Sequence, residues 1–238
     1  MSGWTSKILQ FLTDQTTPTH EPVDAVVYRG PATTTGCPEA AAAAVRAAGL
    51  RVDYIGPSER RRLDARGLAG VRLYVQPGGG VLEDAWPHLK AAKHLLRDFV
   101  EGGGRYVGFC LGAYLAGEGP GFRLLPGDTD QYITSKKASV RHDSDAIVTV
   151  TWNDEQRPLY FQDGPVILLD KKADAQIVAR YDNGLPAAAI CRVGAGAVGV
   201  VGPHPEASDD WVTDVGLPLP TRDGLDLAVD LIRRTVAA

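Results

Sequence analysis

Residues 107–117, VGFCLGAYLAG, place a cysteine between an apolar run and an Ala/Leu-rich segment that favours a helix. Gly108 and Gly112 flank Cys110 at two residues on either side. A strand, a tight turn and a helix in this order are typical of a nucleophile elbow, where hydrolases often carry serine. The pattern predicts that Cys110 is a nucleophile, provided that the chain also supplies a base, a group that orients the base and an oxyanion hole.

The chain before Cys110 alternates strand-like and helix-like segments. Apolar runs that predict strands occupy residues 24–30, 51–56, 71–80 and 105–110, and helical patterns occupy 38–49, 58–68 and 86–104. This alternation predicts an α/β fold whose central sheet is largely parallel and flanked by helices, as in flavodoxin-like folds. Ligands of such sheets bind beyond the carboxyl ends of the strands, where Gly78–Gly80 and Cys110 lie.

From Gly121 onward the chain changes to short β-type runs separated by turn residues. These runs occupy residues 145–152, 157–169, 175–181, 186–193 and 196–202, and they indicate an antiparallel section. Residues 221–238 form an amphipathic pattern and predict a C-terminal helix. We expect a single domain over residues 1–238, with an N-terminal extension at 1–22 and a core at 24–207.

Composition limits the classes of partner. With 25 basic and 29 acidic residues the net charge is −4, which gives no electrostatic footprint for nucleic acid or an anionic membrane. The expected partner is a small-molecule or peptide acyl substrate, and the oligomeric state stays open. Three widely spaced cysteines do not indicate a disulfide scaffold, no apolar segment approaches roughly 18 residues, and the N-terminus does not resemble a secretory signal. These features predict a cytoplasmic protein.

The base and its orienting group are predicted within the segment GPHPEA. An apolar strand ends near His204, and Glu206 follows two residues later, so both side chains can face a common site. The carboxylate would hold the imidazole in one tautomer and stabilise its charged form. For the oxyanion hole, Leu111 supplies one backbone N–H after the elbow, and Gly79 or Gly80 supplies another, because glycine lets the backbone approach a substrate closely.

These motifs together resemble a known family. PGG after the third strand, G-x-C-x-G and an HPE motif 94 residues after the cysteine resemble class I glutamine amidotransferases with their Cys-His-Glu triad. A closer resemblance, over most of residues 24–207, is to the domain at the N-terminus of eukaryotic-type biotin–protein ligases, which also occurs alone in bacteria. It implies Cys110, His204 and Glu206 as the triad. It does not imply biotin ligation, because only about 30 residues follow the HPE motif.

Two further stretches are peculiar to the closer family and are expected near the cleft. They are YRGPATTTGC after the first strand and YFQDGP in the β section. Within them Tyr28, Arg29, Gln162 and Asp163 are candidate substrate contacts. Since no synthetase domain accompanies the motifs, glutamine is not implied as the acyl donor.

Other motifs carry less weight. GAGAVG at 194–199 matches G-x-G-x-x-G but precedes a strand, so it does not predict a nucleotide site. RRR at 60–62 is interpreted as a solvated helix face. The spacing of His and Cys predicts no metal site, and no cofactor is expected.

The sequence favours a cysteine-dependent hydrolase or acyl transferase acting on an amide or related acyl bond through a thioester. The alternative is a catalytically inactive domain of the same fold that binds a ligand or protein in a regulatory role. The acyl donor, the acceptor and the pathway stay open.

Overall fold

A computed structural model describes residues 21–238, so the expected extension at 1–22 lies almost wholly outside the described residues. Within this range the strands are β1 (Ala25–Tyr28), β2 (Val52–Ile55), β3 (Leu73–Gln76), β4 (Arg105–Phe109), β5 (Gly127–Gln131), β6 (Ala146–Trp152), β7 (Glu155–Phe161), β8 (Pro165–Leu169), β9 (Ala175–Tyr181), β10 (Pro186–Val193) and β11 (Gly196–Val201). The α-helices are α1 (Cys37–Ala47), α2 (Leu82–Leu89), α3 (Lys93–Glu101), α4 (Leu111–Ala116), α5 (Asp209–Asp214) and α6 (Leu225–Ala237).

Nine strands form one mixed sheet in the order β2-β1-β3-β4-β11-β10-β9-β6-β7. The strands from β2 to β11 in this order pair in parallel. Those from β11 to β7 pair antiparallel. The α/β class is therefore confirmed, but the expectation of a largely parallel sheet holds only for one half. The antiparallel section extends the same sheet beyond β11.

Helices cover both faces of the sheet, because the strands of its parallel half are apolar on both sides. In β1, Ala25 and Val27 join a core cluster that includes residues of α1 and α6. Val26 and Tyr28 point the other way, into a cluster that includes residues of α2, α3 and α4. The carboxyl ends of β3 and β4 therefore lie between the two helical layers, and the residues that follow these strands are held by packing on both faces of the sheet.

The segment 157–169 does not form one strand as the sequence suggested. It divides into β7 in the main sheet and β8, which pairs antiparallel with β5 in a separate two-stranded sheet. The break contains Asp163, whose φ of 46° lies in the left-handed region. A strand cannot continue through that conformation, so the chain turns at this point.

The predicted helix at 58–68 is absent from the described structure, and this stretch forms turns. Arg61 is buried and pairs with Asp53 at 2.9 Å, while it also donates to the carbonyl of Gly67. The interpretation of 60–62 as a solvated face is therefore wrong for Arg61. A buried guanidinium needs these partners, and their positions favour a compact loop over a helix.

The other helices differ from prediction mainly at their ends. The pattern at 86–104 begins earlier, with α2, and is interrupted by a 3₁₀ turn at Lys90–Ala92 before α3. Pro87 lies inside α2 and removes one backbone N–H there. The C-terminal helix starts at Leu225 and not at 221. None of the helices in residues 21–238 has the length and apolarity needed to cross a bilayer.

Candidate active site

Cys110 occupies the sharp turn between β4 and α4. Its φ of 46° and ψ of −105° are strained for a residue with a side chain. Its N–H donates to the carbonyl of Val201 in β11 at 2.9 Å, and its carbonyl accepts from Ala113 and Tyr114. The turn is thus held by hydrogen bonds from both sides.

The two glycines that flank Cys110 are required by close packing of the backbone. A Cβ placed at Gly108 would lie 2.4 Å from the carbonyl oxygen of Gly112. A Cβ at Gly112 would lie 2.1 Å from the carbonyl oxygen of Gln76 in β3. Any side chain at either position would push the helix away from the strands. The spacing G-x-C-x-G therefore has a steric cause in the folded chain.

His204 and Glu206 form a buried pair just beyond the end of β11. The imidazole Nδ1 lies 2.9 Å from Oε1 of Glu206, and the two side chains are 3% and 0% exposed. The N–H of His204 donates to the carbonyl of Tyr160 at 2.8 Å, and the ring packs edge-on against Tyr160 and Trp211. The imidazole is thereby fixed in position by backbone, carboxylate and aromatic contacts.

Gly78 reveals how close Cys110 and His204 are. A Cβ built at Gly78 would lie 2.4 Å from Cε1 of His204 and 3.2 Å from Cβ of Cys110. A single methyl group at Gly78 would therefore touch both Cys110 and His204. This proximity follows from the register of the sheet, in which Phe109 pairs with Val201. The next residues along the two strands, Cys110 and the segment leading to His204, emerge side by side.

The charge state of His204 follows from its neighbours. Burial lowers the pKa of the imidazole, but negative charge at Cys110, the charge of Glu206 and the hydrogen bond to Glu206 outweigh burial and raise the pKa from 6.5 to about 10. The raised pKa favours the protonated imidazole at neutral pH. A cation in this position stabilises a thiolate at Cys110.

A cavity of about 660 Å³ opens in front of Cys110. Six of the residues predicted for the site line it, namely Cys110, Leu111, Gly79, Gly80, Gln162 and Asp163. Its other walls come from Thr34, Val81, Leu82, Glu83, Tyr114, Gln131 and Asp143. His204 and Glu206 are not lining residues.

Gly79, Gly80 and Leu111, the predicted oxyanion-hole residues, line this cavity. Gly79 and Gly80 have φ values of 87° and 83°, which only glycine adopts readily. Within residues 21–238, no protein group accepts a hydrogen bond from the N–H of Gly79, Gly80 or Leu111. Unpaired N–H groups beside a nucleophile are what an oxyanion requires.

The sequence missed the threonines that hold the glycine loop. The hydroxyl of Thr33 donates to the carbonyl of Gly78 at 2.7 Å. A Cβ at Gly79 would lie 2.6 Å from Cβ of Thr34, so that position faces Thr34 and not the thiol. Consecutive threonines after a strand were the available signal, but only the fold places them against the glycines.

Tyr28 and Arg29 lie away from the cavity. Tyr28 is 2% exposed and belongs to the core cluster on one face of the sheet. Arg29 is held by Glu59 at 2.7 Å and Glu39 at 3.2 Å, with its guanidinium 3.7 Å from the centre of the Tyr54 ring. Both side chains are used by contacts within the fold, so the structure does not place them with the other candidate substrate contacts.

Solved structures share this fold. A glutamine amidotransferase is 17% identical with a TM-score of 0.58, over 86% of this chain and 98% of that one. A glutamine amidotransferase from Thermotoga maritima is 16% identical with a TM-score of 0.56, over 92% and 100%. A β-galactosidase from Bacillus circulans sp. alkalophilus is 14% identical with a TM-score of 0.51, over 97% of this chain but 33% of that one. The fold alone therefore does not define the chemistry.

The fold of this protein is similar to that of glutamine amidotransferases. Residues 23–131 match the family described as "Biotin-protein ligase, N terminal". The matched segment includes the glycine loop and Cys110 and ends before His204. No curated protein matches.

Proposed function

We propose that this protein is a cysteine-dependent hydrolase or acyl transferase that cleaves an amide or related acyl bond through a thioester intermediate. The observation that supports this most strongly is the convergence of Cys110 with the buried His204–Glu206 pair at Gly78. The glutamine amidotransferase-like fold is consistent with such chemistry.

In the first half of the reaction the Cys110 thiolate attacks the carbonyl carbon of the substrate. The carbonyl oxygen gains negative charge and accepts hydrogen bonds from the N–H of Leu111 and of Gly79 or Gly80. The His204 imidazolium then gives its proton to the leaving nitrogen, the C–N bond breaks, and an amine or ammonia departs. The acyl group remains on sulfur as a thioester.

In the second half the neutral imidazole of His204 acts as base. It takes a proton from water, in a hydrolase, or from another nucleophile, in a transferase. The activated oxygen or nitrogen attacks the thioester carbonyl, the C–S bond breaks, and Cys110 leaves as thiolate beside the reprotonated imidazole. Glu206 touches no reacting atom, but it orients the ring through Nδ1 and stabilises its charge.

One contact favours the second function, ligand binding without turnover. Sγ of Cys110 lies 3.5 Å from the carbonyl oxygen of Gln162, where the thiol can donate a hydrogen bond. A carbonyl in this position favours the neutral thiol over the thiolate. A binding protein would retain this contact, whereas turnover requires that the thiol give it up.

The test is acylation by p-nitrophenyl acetate, with release of p-nitrophenolate and intact mass both recorded. We expect a burst of about one equivalent and an acetyl group on Cys110. Cys110→Ala should abolish both the burst and the acetyl adduct. Cys191→Ala should retain both, because Cys191 is buried within β10. An equal burst in Cys110→Ala contradicts the proposal. A folded wild-type protein that forms no acyl adduct favours the binding function.

A further inference from the structure

We propose that Thr33 is a positioning residue for the acylation step. Its hydroxyl fixes the peptide between Gly78 and Gly79, so that the N–H of Gly79 is presented to the oxygen of the substrate carbonyl. This inference rests on the proposed function, since it names the residue that holds one oxyanion donor in place, and it selects Gly79 over Gly80 as that donor. Thr33 is not among the residues that line the cavity, so it acts through the glycine loop and not by touching the substrate.

One hydrogen bond sets the direction of this peptide. The Thr33 hydroxyl donates to the carbonyl oxygen of Gly78 at 2.7 Å. The cis peptide bond found in residues 21–238 is Gly119–Pro120, so the Gly78–Gly79 peptide is trans. In a planar trans peptide the C=O and N–H bonds point in opposite directions. The N–H of Gly79 therefore points away from Thr33. Since Gly79 lines the cavity and its N–H has no acceptor among the described residues, this donor is available to an oxyanion.

The Gly78–Gly79 peptide needs such a contact, because its two flanking residues could let it rotate. Both are glycines, and glycine permits the backbone angles of either orientation at little steric cost. Rotation would exchange the N–H for the carbonyl oxygen of Gly78, whose partial negative charge repels an oxyanion. The hydrogen bond from Thr33 opposes this rotation, because the carbonyl oxygen would lose its partner.

Thr33 is itself held against β3. The carbonyl of the preceding residue, Ala32, accepts from Nε2 of Gln76 at 3.1 Å, and Oε1 of Gln76 accepts from the Tyr74 hydroxyl at 2.7 Å. Both Gln76 and Tyr74 are fully buried, and Gln76 ends the strand two residues before Gly78. The donor and the acceptor of the Thr33–Gly78 hydrogen bond are therefore both fixed to the same strand.

Gly79 is held more firmly than Gly80. A Cβ at Gly79 would lie 2.6 Å from Cβ of Thr34 and 2.7 Å from its backbone nitrogen, so Thr34 packs directly on this residue. A Cβ at Gly80 would meet no atom within 4 Å, and no backbone N–H in residues 21–238 donates to the carbonyl of Gly79. An oxyanion hole requires donors that are oriented before the charge develops. The N–H of Gly79 meets this requirement better than that of Gly80.

The experiment uses Thr33→Val, which removes the hydroxyl and keeps the branched shape of the side chain. Acylation by p-nitrophenyl acetate passes through an oxyanion, whereas alkylation by iodoacetamide displaces iodide at a saturated carbon and forms none. We expect the burst rate to fall about ten-fold, while the iodoacetamide rate at Cys110 stays within about two-fold of wild type. A variant that lost both rates in parallel would have a generally damaged site, and that result would overturn the proposal.

Thr33→Ser keeps the hydroxyl and should retain a burst rate within about three-fold of wild type. Thr33→Ala is a second variant without the hydroxyl and should show the same selective loss as Thr33→Val. Thr35→Val is the matched control, because Thr35 lies exposed in the same segment, and it should leave both rates unchanged. An unchanged burst rate in Thr33→Val and Thr33→Ala, or a loss in Thr33→Ser as large as in Thr33→Val, would overturn the proposal.

An aldehyde tests the same donor without turnover. The Cys110 thiolate adds to the carbonyl carbon of butyraldehyde, the oxygen takes the electron pair of the C=O bond and a proton from solvent, and a hemithioacetal forms without a leaving group. We expect protection of Cys110 against iodoacetamide to need about ten-fold more butyraldehyde in Thr33→Val than in wild type.

The two measurements separate this inference from the proposed function. A wild-type protein that is not acylated, but whose protection by butyraldehyde depends on Thr33, would contradict the proposed function and support the role of Thr33. A burst that requires Cys110 and has equal rates in wild type and Thr33→Val would support the proposed function and overturn the role of Thr33. A wild-type protein that forms neither adduct would overturn both.

Discussion

Gly78→Ala should separate Cys110 from His204 without removing either residue. The new Cβ would lie 2.4 Å from Cε1 of His204. Carbon atoms pack no closer than about 3.5 Å, so the imidazole or the glycine loop must move by about 1 Å. A displacement of that size at a reacting centre costs about 100-fold in rate.

The assay is the second-order rate of iodoacetamide modification at Cys110, measured from about pH 5 to 9, together with the burst from p-nitrophenyl acetate. At neutral pH the rate of modification at Cys110 should be higher in the wild-type protein than in Gly78→Ala, because the protonated imidazole stabilises a thiolate only while it lies beside the sulfur. In Gly78→Ala the burst rate should fall about 100-fold.

Gly119→Ala is the matched control. A Cβ at Gly119 meets no atom within 4 Å, and Gly119, like Gly78, has no φ in the left-handed region, so this variant carries the general cost of alanine at a glycine without touching the site. It should keep the wild-type profile and burst. A Gly78→Ala protein that unfolds cooperatively, yet retains the wild-type profile and a burst rate within about two-fold, would refute the steric reasoning.

Three further results are expected. Burial raises the pKa of both Cys37 and Cys191 to about 12, so neither should be alkylated near pH 8 until the protein is denatured, and modification of either in the folded protein would be inconsistent with this. The pKa of His204 is raised from 6.5 to about 10, so stability from its charge is full below the unfolded value and is lost as pH rises through about 10. In urea titrations the deficit of His204→Ala relative to wild type should therefore shrink from about pH 6 to pH 10, and a growing deficit would refute the sign. Asp226→Asn should cost about 1–3 kcal/mol in urea at neutral pH, because it weakens the partner of the buried Arg157 guanidinium 2.8 Å away. The hydrogen bond with Arg157 lowers the pKa of Asp226 from 3.8, so the cost of Asp226→Asn should decrease as pH falls below 3.8 and the carboxylate is protonated. No measurable cost at neutral pH would argue against a stabilising Arg157–Asp226 ion pair.

Local features of the chain were predictable because their causes lie within a few residues. Short apolar runs alternate with helix-forming ones, and this periodicity located most strands. The glycines around Cys110 marked a turn whose backbone only glycine permits at those positions. His204 and Glu206 are separated by one proline, so their mutual contact needs little from the rest of the fold.

The distant relationships depended on tertiary structure. Strand order places β11 beside β4, and this pairing, which no local preference encodes, brings His204 to Cys110 across 94 residues. The same order continues into antiparallel strands, so the sheet is mixed. Arg61 looked like part of a solvated helix, yet its charge is satisfied inside the fold by Asp53 and backbone carbonyls.

The sequence by itself determined which residue types the site could use, since a strand end with G-x-C-x-G and an HPE motif restrict the chemistry through local geometry. Only the tertiary structure decided which neighbours complete the cavity. Tyr28 ends β1 and Arg29 follows it, shortly before the threonines, but Tyr28 packs in the core and Arg29 pairs with two carboxylates. Gln131 belongs to none of the motifs, and it reaches the wall because the β5–β8 sheet packs beside α4. Side-chain direction at the end of a strand depends on which surfaces are buried, and that is a property of the whole fold.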